Sequence, residues 1–208
     1  LLNKKHFFLI LLIISLLTTL SISIAQPGQD KQTKETCDVA EMREALRQAR
    51  TAQEEDEVPV GAVIAINQKI IVRAHNQVEI LKDPTAHAEM IAITQASNSL
   101  SCKWLLDCTL YVTLEPCSMC AGALVLARIK RICFGAFDPK TGACGSILNI
   151  AKHPKLNHQI ETTSGLMAEE CGSLLTEFFV SKRNFSSSVR LKVFWRLSIE
   201  VGDCLRRS

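Results

Sequence analysis

The chain has 208 residues, 47% apolar and 22% charged, which is enough for one domain with a proper core and excludes a disordered or fibrous protein. A formal net charge of +3 gives no argument by itself for a nucleic acid partner. Nine cysteines, an odd number at irregular spacing, exclude a fully paired disulfide framework.

Lys4 and Lys5 precede an apolar run from Phe7 to Ala25, and Ser23-Ile24-Ala25 offers the small residues a signal peptidase reads. Residues 1–25 thus have the form of a signal peptide or, if uncleaved, of a short anchor with membrane contact through 7–25. QPGQDKQTKET (26–36) reads as a polar linker. Asp38 with Glu41 makes a capping-box start, and Val39, Met42, Leu46 and Ala49 follow at helical spacing, so a first helix is expected over about 38–54. VGAVIAI (60–66) and IIVRA (70–74), joined by Asn67-Gln68-Lys69, read as a hairpin. DPT (83–85) is a helix-start signal, and AHAEMIAITQAS continues as helix.

TLYVTL (109–114) reads as a buried strand, 117–129 as a helix and RICFGA (131–136) as a strand, which together imply a parallel pair with a right-handed crossover. Residues 137–156 form a long Gly- and Pro-punctuated loop, the kind that carries function. HQIETT (158–163) is a further strand, and Cys171, Leu174, Leu175, Phe178 and Phe179 mark the core face of a last helix over about 168–183. From Val189 to Val201 apolar and polar residues alternate, a strand signal in a basic tail, 185–208. The expected fold class is α/β, a mixed sheet with helices on both faces. The ends are basic, with seven cations against two acids over 181–208, and the middle is acidic. A polyanion contact would therefore rest on local clusters such as Arg128/Lys130/Arg131 and Lys182/Arg183.

Two motifs carry the chemistry. His87-Ala88-Glu89 opens one predicted helix and Pro116-Cys117-Ser118-Met119-Cys120 opens another. Helix N-termini favour anions, so both thiolates are stabilised where they sit, and the i, i+3 spacing puts them on one face. With His87 as third ligand, a tetrahedral zinc keeps an open position, and Glu89 is left beside it as a non-ligand acid/base. H-x-E…P-C-x-x-C is the signature of the zinc deaminases. A thioredoxin-type redox pair also uses CxxC at a helix start, but leaves His87 and Glu89 unexplained. A structural zinc site needs a fourth protein ligand, for which Cys102, Cys108 and Cys133 are candidates.

EVPVGAV (57–63), HN (75–76), DPTAHAE (83–89), LYVTLEPCSMCAGA (110–123), FGAFDPKTGACGS (134–146), HPKLNH (153–158) and LLTEFFVSKR (174–183) together resemble the bacterial tRNA-specific adenosine deaminases. The likeness runs over a zinc deaminase domain, 37–184. It implies a three-layer α/β/α cytidine-deaminase-like fold on a mixed five-stranded sheet, one zinc ion per subunit, and deamination of adenosine to inosine at the wobble position of a tRNA anticodon stem-loop. By the same resemblance Glu89 is catalytic and His87, Cys117 and Cys120 hold the metal. Asn76 would bind the flipped nucleoside, and the backbone of Glu57, Val58 and Pro59 would line its pocket. Asp138, Lys140, His153, Lys182 and Arg183 would meet flanking nucleotides.

A homodimer sharing the RNA is also implied, working in the cytosol or an organelle, where the signal-like segment does not fit. Asn76 as a turn closer, Asp138 as a turn residue and Lys182/Arg183 as a helix C-terminal charge pair are the plainer alternatives. So are a deaminase of free bases or nucleosides (guanine, cytosine, cytidine) and a non-catalytic zinc-binding RNA partner subunit. Glu89 argues against the last.

Overall fold

Five strands share one sheet in the order β2-β1-β3-β4-β5, where β1 is Gly61–Ile66, β2 Lys69–His75, β3 Cys108–Leu114, β4 Arg131–Ala136 and β5 Glu161–Ser164. The computed structural model describes residues 27–184, with side chains from Asp38 onward. The signal-like segment 1–25 and the alternating tail from Val189 lie outside the described residues. The chain divides into two units, Leu1–Thr36 and Cys37–Ser208. The described part of the first is helical backbone, the start of the helix Pro27–Glu54, and every side chain described below belongs to the second.

β1 pairs antiparallel with β2 and β3, while β3, β4 and β5 run parallel, so the sheet is mixed, as expected. The β1–β2 turn is Asn67-Gln68, both with positive φ (47° and 63°), the backbone a two-residue type I′ hairpin demands. Ala65 pairs with Ile70 and Ile64 with Val72, leaving Ile71 as a bulge.

The helices are α1 Pro27–Glu54, α2 Val78–Leu81, α3 Ala88–Ser99, α4 Ser118–Leu126 and α5, 168–184. Met42, Ala45, Leu46 and Ala49 of α1 pack with Val63, Tyr111, Cys133, Cys171 and Leu174 in one core layer. Ala88, Ala92 and Ala96 of α3 and Ala121, Leu124 and Val125 of α4 share the other with Ile64, Leu110, Val112 and Phe134. That makes three layers, α/β/α. Small residues let α1 lie close: a Cβ on Gly61 would stand 2.0 Å from the Ala45 carbonyl oxygen.

Three expectations need correcting. The first helix begins at Pro27 and takes in the segment read as a linker; proline is tolerated in a first helical turn, and nothing in DKQTKE breaks a helix. Asp38 therefore lies inside α1 and does not open it. Its carboxylate instead accepts Arg131 Nη1 and Nη2 (2.9 and 2.7 Å) and the Tyr111 hydroxyl (2.6 Å). Arg131 also donates to Thr163 Oγ1, so one buried network joins α1, β3, β4 and β5. Arg131 is thus structural and drops out of any polyanion cluster. DPT does not start α3 either: Asp83 Oδ1 accepts the N–H and hydroxyl of Thr85 in an Asx turn, and α3 begins after His87.

Tyr111 is the only tyrosine in the chain. Burial first, then its hydrogen bond to Asp38, raises its phenol well above the usual value. A pKa raised on folding stabilises fully below the unfolded value of about 10 and drains away as pH climbs past it. Phenolate absorbance should therefore stay absent in alkali until the far-UV circular dichroism collapses, both in one transition. Phenolate appearing near pH 10 in a chain with intact circular dichroism would sink this account.

Candidate functional site

β3 and β4 are neighbours and parallel, so the segments that follow them leave from the same edge of the sheet. In open α/β sheets that carboxyl edge is where ligands bind. β3 leads through Glu115 and Pro116 into α4, whose N-cap is Cys117 (φ −70°, ψ 175°). The N-cap of α3 is His87 (φ −69°, ψ 151°). Neither side chain makes a capping hydrogen bond. Both are turned to a common point: His87 Nδ1 lies 3.7 Å from Cys117 Sγ and 3.5 Å from Cys120 Sγ. All three donor atoms lie within 4.8 Å of one another.

These distances can be tested against a metal. A tetrahedral zinc with Zn–S of about 2.3 Å and Zn–N of about 2.0–2.1 Å sets N and S about 3.6 Å apart. The donors fit, and they number three, which leaves a fourth position for a reactant. Two thiolates this close repel, so without a cation one charge suffices: Cys117 is held down to about 4, first by its hydrogen bond from Cys120, while Cys120 is pushed up and keeps its proton. His87 is raised, chiefly by the Cys117 thiolate. A divalent cation supplies the positive charge that lets both cysteines ionise. Glu89, in the first turn of α3, is 4% exposed, and burial raises its carboxyl above the usual range.

The remaining residues predicted from sequence fall into two groups. Glu57 is fully buried; its Oε2 accepts Asn76 Nδ2 (3.1 Å) and its Oε1 accepts the Ile80 N–H (2.7 Å), which ties down α2. Asn76 is 5% exposed, and its backbone N–H donates to Val60. Pro59, just before Val60 in the chain, is buried. The second group lines a groove of 840 Å³: Val58, Asp138, Lys140, Lys182 and Arg183. Asp138 is also a turn residue, since its carboxylate accepts the Lys140 and Thr141 N–H groups and the Thr141 hydroxyl. Lys182 pairs with Asp56 (2.5 Å) and stands over the Phe178 ring. His153 is exposed and does not line this groove.

Several features escape sequence reasoning. Phe178 and Phe179, both assigned to the core, divide: Phe178 is buried, whereas Phe179 is exposed on the groove with Phe137. Cys144, a thiol in the loop, is buried and pushed up to about 12, chiefly by burial, so it is protected from oxidation. Glu115, to which the motif reading gave no task, is 2% exposed and ionised: burial would raise its carboxyl, but hydrogen bonds from Ser146, Asp138 and Cys144 outweigh that and lower it. The only local signal was a lone carboxylate directly after an apolar strand.

Residues 37–183 match the family model of the MafB19-like deaminases. The tRNA-specific adenosine deaminase of Bacillus subtilis (strain 168) is 48% identical over 155 residues, 74% of this chain and 96% of that protein. That of Aquifex aeolicus (strain VF5) is 52% identical over 143 residues, 69% and 94%. Among solved structures, one from a study of A-to-I editing by tRNA:A34 deaminases at the wobble position of transfer RNA is similar with a TM-score of 0.63 and 43% identity, covering 65% of this chain and 98% of that one. A guanine deaminase from Nitrosomonas europaea shares the fold at 24% identity and a TM-score of 0.57, covering 67% and 83%.

The donor geometry predicts one zinc per chain in protein purified with the metal, measured by plasma mass spectrometry. Cys117→Ala should abolish it, and a fully loaded variant would mean a different ligand set.

Proposed function

The chain belongs to the MafB19-like deaminases and, within them, to the tRNA-specific adenosine deaminases, and from that premise we propose that it converts adenosine to inosine at the wobble position of a tRNA anticodon loop. The observation that carries this reading is the 48% identity to an enzyme of that name over 96% of its length. A loop nucleotide is already unpaired, so turning it out into a pocket costs little.

Zinc, when held by His87, Cys117 and Cys120, supplies the Lewis acidity that makes a water nucleophilic near neutral pH. Glu89 would carry the protons: its carboxylate, made more basic by burial, takes one from the attacking water and gives it to the ring nitrogen. It then takes the second from the hydroxyl of the adduct and gives it to the amine, which leaves as ammonia while that oxygen becomes the carbonyl. Asn76 offers the nucleoside its Oδ1 and one N–H, since its Nδ2 donates only one hydrogen bond, to Glu57. Lys140, Lys182 and Arg183 attract the backbone of the flanking nucleotides, and exposed Phe179 gives a base a face to stack on. The enzyme then works where tRNA is, in the cytosol or an organelle; no helix of the described residues is long and apolar enough to cross a membrane.

The same reading carries a homodimer. Exposed Trp104, Leu106 and Leu126 support it, gathered around the hydrogen bond from Leu105 N–H to the Ala127 carbonyl (2.7 Å). Equilibrium sedimentation should give twice the chain mass of 23.0 kDa, and Leu126→Arg should lower it. A monomer at micromolar concentration would sink the dimer.

The full chain loaded with zinc should form inosine at the wobble adenosine of an unmodified tRNA and nowhere else. Turnover of guanine or cytidine with none of tRNA would move the assignment to free bases or nucleosides. Glu89→Ala should keep its zinc and lose about 10²–10⁴-fold in kcat. Loss of zinc in that variant would make Glu89 a ligand instead.

A further inference from the structure

Glu115 is a buried charge with no part in the chemistry above. It sits between β3 and the N-cap ligand Cys117, and both carboxylate oxygens are occupied by one loop. Oε1 accepts the N–H groups of Cys144 (2.9 Å) and Ser146 (3.0 Å). Oε2 accepts the N–H of Asp138 (3.1 Å) and the Ser146 hydroxyl. The carboxylate thus binds the loop at its first residue and at its last two polar contacts, bending 138–146 around itself. Gly142 lets the loop close, for a Cβ there would stand 2.5 Å from Glu115 Oε2 and 2.6 Å from the Asp138 carbonyl oxygen. Two further contacts fasten the loop to the metal-bearing junction: Gly142 bridges Cys117, and Ala143 N–H donates to the Pro116 carbonyl (2.9 Å).

The loop in turn carries Asp138, Lys140 and Thr141 into the groove. A carboxylate accepting four hydrogen bonds from one segment is a fixed post for that segment, because every bond to it is charge-assisted and the Cys144 N–H, which is buried, would be left unsatisfied without it. We propose that Glu115 is the positioning residue of this site: it holds loop 138–146 against the Pro116–Cys117 junction and thereby sets the groove wall that meets the nucleic acid. The assignment of nucleic acid to that groove rests on the function proposed above; the latch itself does not.

Glu115→Gln keeps the side-chain volume but sets an amide N–H₂ against at least one N–H donor. Ser146→Ala removes one of the four bonds. In full-chain, zinc-loaded protein, E115Q should speed amide hydrogen exchange across 138–146 by about tenfold or more, the least that losing a charge-assisted hydrogen bond costs, with β3 and α4 still protected. Bound zinc should be unchanged. For an anticodon stem-loop, KM should rise about tenfold with kcat within about threefold, the mark of lost binding. Ser146→Ala should move exchange and KM the same way, by less.

Unaltered exchange at 138–146 in E115Q overturns the latch, and if E115Q does not fold, unaltered exchange in Ser146→Ala overturns it. Loss of zinc from E115Q also overturns it, making Glu115 a support of Cys117. Faster exchange with KM unchanged breaks the link to substrate. A wild-type chain inactive on tRNA refutes the functional reading, and the exchange result then decides the latch alone.

Discussion

The parallel pairing of β3 with β4 is the constraint on which this molecule's site depends. Leu114 lies opposite Ala136, and the Glu115 N–H donates to the Ala136 carbonyl at 2.9 Å, so the two strands end together. Because they point the same way, the helix start after β3 that presents Cys117 and the groove loop after β4 emerge side by side. An antiparallel pair would have put them at opposite ends of the sheet. The helix between the strands is what makes the parallel pairing reachable, and that same helix carries Cys120. One topological choice therefore supplies the crossover, two of the three donors and the neighbourhood of the groove.

Buried charge separates the two sides of the sheet by purpose. On the α1 side, Asp38, Arg131, Tyr111 and Thr163 satisfy one another, and this network joins four elements without offering anything to a ligand. Its neighbour Glu41 has one oxygen, Oε2, without a hydrogen bond, and burial, with Asp38 nearby, raises its carboxyl toward the neutral form. At the strand ends, His87, Cys117, Cys120 and Glu89 are held close, and each is shifted from its ordinary protonation by burial and by the others. A cluster of groups so shifted is one built to take part in chemistry.

How much of this was legible in the sequence depended on range. Strands of six or seven apolar residues, the Asn67-Gln68 turn and the α4 start follow from local periodicity and punctuation, and the structure has them within a few residues. His87, Glu89, Cys117 and Cys120 were legible because their motifs are short and each sits at a helix start. Asp38 was not, because its partner Arg131 lies 93 residues along the chain, and Asp-x-x-Glu looks the same whether it caps or pairs. DPT misled for a related reason: the Asp that can open a helix can equally close an Asx turn, and only the backbone at His87 tells them apart. α2 is a single turn, tied down by a carboxylate 23 residues earlier, too short for any periodicity. Glu115 was hidden because its partners belong to a loop with no pattern of its own.

The placing of His87 and Cys117 at helix starts has a cost that falls on the helices. An N-cap position is ordinarily filled by Ser, Thr, Asp or Asn, whose side chain closes the first turn and contributes about 1 kcal/mol. His87 and Cys117 occupy those positions and cap nothing. Both helices forgo that local stability so that an imidazole and a thiol can face each other. Random mutagenesis scored for thermal tolerance alone would therefore favour hydroxyl and carboxylate residues at these two positions. Directed evolution for robustness would erode this centre unless turnover were selected alongside it.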